Sequence, residues 1–221
     1  MLLARGADRL EETAAELGAE AEVCDVAERD QVEETALRVG ERHPAVHLLV
    51  NSAGVPGRKG FLELDPERIE LVARINYLGS VWCLRAFLPY LRAAAPSDLV
   101  NVVSTAGTIA VPRSGPYSAS KHAQLAFSRS VAAELAPLGV RVHTVNPGPV
   151  QTDGFPQARL RRSAWTRRLV LSPDEIAGAI VRAVERNSQE VHLPRSFRLL
   201  GMAQALAPGT LTRVLARRRM P

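Results

Sequence analysis

Four short apolar runs, each closing on a turn of small or polar residues and each set off from the next by a helical stretch, limit what this chain can fold into. Ala21-Glu22-Val23-Cys24 leads into Asp25-Val26, and Val46-His47-Leu48-Leu49-Val50 into Asn51-Ser52-Ala53-Gly54. Asp98-Leu99-Val100-Asn101-Val102-Val103-Ser104 ends on a hydroxyl, and Val140-Arg141-Val142-His143-Thr144-Val145 runs into Asn146-Pro147-Gly148-Pro149-Val150-Gln151-Thr152. Runs this short and this apolar are strands buried on both faces, as in parallel sheets. Between them, Leu10, Ala14 and Leu17 give residues 7–17 an apolar stripe closed by Gly18, and a second helix runs from about Arg29 to Val39. Asp65-Pro66 supplies an N-cap and an N1 proline for a long helix reaching about Arg92. Ser172-Pro173-Asp174-Glu175 is a capping box opening the helix that carries Ile176, Ile180, Val181 and Val184. Strands alternating with helices imply an α/β fold with a doubly wound parallel sheet, whose ligands lie at the carboxyl ends of the strands.

One constellation sits at such an end. A helix over Pro116–Leu135 puts Tyr117 and Lys121 on one face, roughly 6 Å apart. A free tyrosine, with a pKa near 10, is a poor acid–base catalyst at neutrality, and a neighbouring cation favours its phenolate. The same pair decorates many amphipathic helices, so the context decides. Ser104 stands thirteen residues before Tyr117, and Lys121 is one of only two lysines, with Lys59, among twenty-eight basic side chains. A compact ammonium on a flexible stem does there what a planar guanidinium cannot.

Together these segments resemble the short-chain dehydrogenase/reductase family: an N-A-G-type turn after a strand, a serine thirteen residues before Y-x-x-x-K, and a P-G-x-V-x-T turn after a later strand. The resemblance covers residue 2 to roughly 193. It implies a Rossmann-like single domain over 1–193, followed by a basic amphipathic extension over 194–221. It also implies that Ser104 binds the substrate oxygen, Tyr117 is the general acid or base, and Lys121 lowers the tyrosine pKa while bonding the nicotinamide ribose. Asn76, within Arg74-Ile75-Asn76-Tyr77-Leu78-Gly79, matches the asparagine that holds a proton-relaying water. Asp25 and Val26 match positions beside adenine, Asn51, Ala53 and Gly54 those beside the ribose, and Val150 with Thr152 those that fix the carboxamide. Pro147 and Gly148 belong to that last turn. Arg5, where NAD-preferring members carry an acid, is placed to pair with a 2′-phosphate, which favours NADP, with NAD as the alternative.

The start departs from the family pattern. Members begin with a strand, a glycine-rich turn and a helix whose N-terminus holds the cofactor pyrophosphate, whereas residues 1–4 match the end of the second strand. Gly54-x-x-Gly57-x-x-Gly60 has neither the spacing nor the following helix to replace that turn. A shortened chain or a misassigned start accounts for this more simply than a protein evolved without a central strand. The expected function is hydride transfer between NADP(H) and a small carbonyl/alcohol substrate. The alternative is a non-catalytic remnant serving as a binding or oligomerisation module.

Composition agrees with one domain: 221 residues at 46% hydrophobic content bury one substantial core. Cys24 and Cys83, in apolar runs, read as reduced core thiols of a cytoplasmic protein. The five histidines lack metal-ligand spacing, so no metal site is expected. A net charge of +5, without aromatic–basic interleaving, does not point to nucleic acid. Arg159, Arg161, Arg162, Arg167 and Arg168, beside Phe155, Leu160 and Trp165, suit a lid drawn to acidic substrates or a solvated basic loop. In the tail, Leu199, Ala203 and Leu206, then Leu211, Val214 and Leu215, form two apolar stripes ending in Arg217-Arg218-Arg219. These suit packing over the pocket or in a homo-oligomer, or weak contact with an anionic membrane.

Overall fold

The computed structural model describes residues 1–57, 61–152 and 169–217. The named strands form two parallel sheets. In the smaller, β1 (Leu2–Ala4) pairs with β2 (Ala21–Val23). In the larger, β3 (Leu48–Asn51), β4 (Ser97–Val102), β5 (Val140–Pro147) and β6 (Glu190–Leu193) lie side by side in that order. The expected alternation is present: α1 (Ala7–Leu17) joins β1 to β2, α2 (Arg29–Arg42) precedes β3, and α5 (Gly115–Leu135) joins β4 to β5. The helix α6 (Pro173–Glu185) then leads to β6.

Local signals explain the boundaries. Gly18 ends α1 at φ +60°, a left-handed geometry that glycine adopts without a steric penalty. Ser172 and Glu175 form the reciprocal capping box of α6, at 3.2 and 2.7 Å. The long helix expected from Asp65 to about Arg92 is interrupted. It comprises α3 (Pro66–Ala73), a π-helical turn over Arg74–Leu78, and α4 (Gly79–Ala93). Asp65 occupies the cap position without a side-chain cap bond.

The main core lies under the larger sheet. Leu99 from β4 and Val140 and Val142 from β5 pack with Leu84 and Leu91 of α4 and with Val131 and Leu135 of α5. Cys24 and Cys83 meet in a smaller cluster with Val32. Burial raises both thiols, that of Cys83 to about 12, so they behave as small core hydrophobes. Glu190 ties β6 to α5 through Arg129, at 2.9 Å, and also meets His192 at 2.9 Å. His192, then Arg129, hold its carboxyl down to about 2.

The tail forms two helices. The helices α7 (Phe197–Leu206) and α8 (Pro208–Arg217) follow β6. Inward-facing contacts of α7 come from Phe197 on Gly148, Gly201 on Thr108, and Gln204, whose Oε1 accepts from Ala110 N at 3.5 Å. The apolar stripe does not pack over the cavity but faces outward, with Leu199 65% and Leu206 82% exposed, the face that contact in a homo-oligomer or with a membrane would use. Docking through Phe197, Gly201 and Gln204 leaves the leucines to point the other way.

Candidate active site

The turn after β3 is held from the helix behind it. Asn76, fully buried in the π-helical turn, accepts from Val55 N at 2.8 Å and donates to Val55 O at 3.0 Å. Its amide also donates to Ser120 Oγ at 3.1 Å, and Ser120 bonds the Tyr117 carbonyl at 2.8 Å. A π-turn widens the helix and shifts the register of the residues after it, a device found often at functional sites. Here it aims one side chain at the backbone of the 51–57 turn and at the tyrosine helix together.

Ser104 lies just past the end of β4, where Val103 N still bonds Val145 O at 2.8 Å. Ser104 Oγ accepts from Ala106 N at 3.1 Å, which leaves the hydroxyl hydrogen free to donate. The loop beyond it packs hard on α5: a Cβ on Gly107 would sit 2.8 Å from the Lys121 carbonyl. Ser104, Tyr117 and Lys121 all line one cavity of about 720 Å³. Ile176 and Ile180 of α6 and Val111 form part of its apolar wall. That volume is typical of small-molecule sites.

Lys121 is 3% exposed. Its Nζ donates to Val102 O at 3.1 Å and to Gln124 Oε1 at 2.7 Å. Burial lowers its pKa from the usual lysine value to about 7. Gln124 donates in turn to Ser80 Oγ at 2.7 Å, so the glutamine side of this ammonium's support is buried throughout.

The cofactor candidates fall into two adjoining cavities. Arg5, Asp25, Val26, Asn51, Ala53 and Gly54 line one of about 310 Å³ at the carboxyl ends of β1, β2 and β3. Pro147, Gly148, Val150 and Thr152 line the larger one with the catalytic candidates. Ser52 and Gly54 line both, so the two cavities adjoin at the turn after β3. Within the smaller cavity, Arg5 Nη1 stands 3.6 Å from Oδ2 of the half-buried Asp25, the arginine itself being exposed. Asn51 is only 7% exposed, and its amide turns back into the sheet to donate to Asn101 Oδ1 at 3.0 Å. The arginine-rich segment 159–168, with Phe155, lies outside the described residues, as do Lys59 and Gly60. Among the described residues no group of His, Cys, Asp and Glu is placed to hold a metal ion.

Residues 1–162 match the sequence profile of the short chain dehydrogenases. The chain belongs to that family. Estradiol 17-beta-dehydrogenase 11 of Mus musculus is 31% identical over 217 residues, which is 95% of this chain and 71% of the mouse protein. Among solved structures, an alcohol dehydrogenase from Thermococcus sibiricus complexed with 5-hydroxy-NADP has a TM-score of 0.74 at 31% identity, covering 86% of this chain and 83% of its own. A short chain dehydrogenase from Burkholderia cenocepacia in complex with NADP has a TM-score of 0.75 at 27% identity, with 96% and 95% covered. The chain is thus a Rossmann-like oxidoreductase of the short-chain dehydrogenase family.

Some of this short-chain dehydrogenase's polar network was not expected from its sequence. Tyr117, Lys121, Gln124 and Ser128 recur at the spacing of one helix face, and Ser128 links Asn101, at 3.0 Å, to Thr144, at 2.7 Å. A polar stripe on an otherwise buried helix was the available signal. Asn101, inside an apolar strand, and Ser80 gave none until the sheet was assembled.

Proposed function

We propose that this short-chain dehydrogenase interconverts a carbonyl and an alcohol using NADP(H), with Tyr117 as the general acid or base. The observation that carries the reading is the single cavity at the carboxyl ends of the strands into which Ser104, Tyr117 and Lys121 all open. Cofactor fit is supported by the lining, since Gly54 and Ser52 line both cavities and Lys121 and Asn76 stand beside Gly54. A bound nicotinamide would supply or accept the hydride.

The chain's own residues handle the proton. Tyr117 gives its phenolic proton to the substrate oxygen in reduction and takes it back in oxidation. The Ser104 hydroxyl donates to the same oxygen as negative charge develops there, where a preorganised donor has the most effect. Lys121, carried on the same helix one turn on, favours the phenolate when protonated, and its pKa of about 7 means that it changes charge near neutrality. Asn76 acts as a positioning residue through Val55 and Ser120. Arg5 would meet a 2′-phosphate at the open end of the smaller cavity, and the NADP complexes among its structural relatives agree with that preference.

A second reading, a binding module without turnover, is favoured by one observation: Arg5, Asp25 and Val26 belong to the small sheet, whereas Tyr117 and Lys121 serve the large one. Calorimetric titration with NADPH, followed by turnover on a panel of carbonyl compounds, separates the two. Tyr117→Phe should lower kcat by about 10²–10⁴-fold with cofactor affinity nearly unchanged. A mutant that keeps most of its turnover refutes the assignment of Tyr117, and a chain without NADPH binding supports the binding module.

A further inference from the structure

We propose that the outer face of the C-terminal helices docks on an anionic phospholipid bilayer, with the mouth of the catalytic cavity beside that surface. On α7, Phe197, Gly201 and Gln204 contact the body, at helix positions within about 60° of one another. Leu199, Met202 and Leu206 lie on the opposite side and are 65%, 50% and 82% exposed. A helix already docked by one face has no internal use for a second apolar face made of large side chains. Val214 of α8 is 45% exposed as well.

Charge identifies the occupant. Six of the twenty-eight basic side chains, all arginines, and none of the twenty-three acidic ones fall in residues 194–221. The rest of the chain therefore holds twenty-two against twenty-three and is close to neutral, at −1. The positive excess of the sequence falls in this segment, and Arg195, Arg198 and Arg213 are exposed in the same stretch as the outward apolar side chains, the pattern of a segment that lies in the interface of an anionic membrane. A second copy would bring one basic segment without acidic residues against another, so self-association is opposed. The outward side chains on α7 are aliphatic and offer nothing for bases to stack on, which disfavours nucleic acid.

The loop over residues 108–114 links this face to the cavity. Thr108 and Ala110 meet α7, Val111 and Ser114 line the cavity, and Arg113 pairs with Glu63 at 3.0 Å. Next to Glu63, Phe61 and Leu62 are 71% and 94% exposed. Two apolar projections therefore flank one loop at the cavity rim. If the proposed carbonyl/alcohol chemistry holds, the substrate is a lipophilic molecule entering from the bilayer; the docking itself does not depend on that chemistry.

The test is sedimentation of the full chain with vesicles of phosphatidylcholine containing about one third phosphatidylserine, against pure phosphatidylcholine, at low and high salt. Partitioning should fall by about tenfold or more on the neutral vesicles and again at high salt. It should fall similarly for Leu199→Gln/Met202→Gln/Leu206→Gln and for Arg195→Glu/Arg198→Glu/Arg213→Glu, with the melting temperature unchanged, since these side chains are exposed. Absence of binding to anionic vesicles at low salt overturns the proposal. So does equal binding by the glutamine variant, or a variant that only converts a dimer to a monomer. Vesicle binding together with an inactive wild-type chain would sustain the docking and sink the reductase reading alone.

Discussion

The two middle strands of the large sheet, β4 and β5, are buried almost throughout, whereas β1 and β2 contribute three residues each and bury none of them. Leu99, Val140 and Val142 have helices to pack against from within the same sheet's connections, while the small sheet relies on α1 and a few contacts around Cys24. Two strands alone are marginal in water. On the face of β3 opposite Leu49, Leu48 and Val50 remain 45% and 38% exposed. The proton-handling groups thus rest on the self-supporting half of the molecule, and the residues placed for the adenine end rest on the half that needs help. Chemistry and cofactor recognition should respond differently to the same perturbation.

The largest expected contrast is in stability. Leu99→Ala opens a cavity in the main core and should cost about 3–5 kcal/mol by denaturant unfolding. Leu10→Ala, beneath the small sheet, should cost about half as much or less, because its surroundings can collapse. Equal costs would show that the two sheets unfold as one unit and would break the comparison.

A smaller effect belongs to Lys121. Its folded pKa of about 7 lies below the ordinary lysine value of 10.5, so between those limits the unfolded chain holds a proton that the folded chain has shed. Stability should therefore rise as pH climbs from about 7 to 10, by roughly 2–4 kcal/mol. Below pH 7 both states are charged, and the full desolvation penalty stands. In Lys121→Met this rise should vanish; a wild-type stability curve flat over the same range would show that the ammonium is not desolvated as its burial implies.

The smallest effect separates recognition from folding. Arg5 is exposed and stands 3.6 Å from the half-buried Asp25, so Arg5→Ala should change unfolding stability by less than about 0.5 kcal/mol. It should nonetheless shift the NADPH to NADH affinity ratio by about tenfold toward NADH. An unchanged ratio would remove Arg5 from the cofactor site and leave the small sheet without a role in selecting the cofactor.

The order of elements was readable because its signals are local. Apolar runs of strand length, Gly18, Pro66 and the Ser172–Glu175 box each act over a few residues. The pairing of Tyr117 with Lys121 on one helix face follows from helical geometry alone. The π-turn at Arg74–Leu78 left no such mark, and Asn76 acquires its grip on Val55 only when the 51–57 turn is brought against it.

Residue chemistry and spacing by themselves determined the alternation of strands and helices, the Ser104–Tyr117–Lys121 set and the concentration of arginine in the tail. The tertiary structure alone decided that Asn51 turns into the sheet, that Gln124 and Val102 hold the lysine, and that Leu199 and Leu206 face outward. Periodicity specifies that a helix has an apolar or polar face, but which face is covered depends on the surface it meets. That surface is built from segments far away in the chain, by contacts that no local pattern encodes.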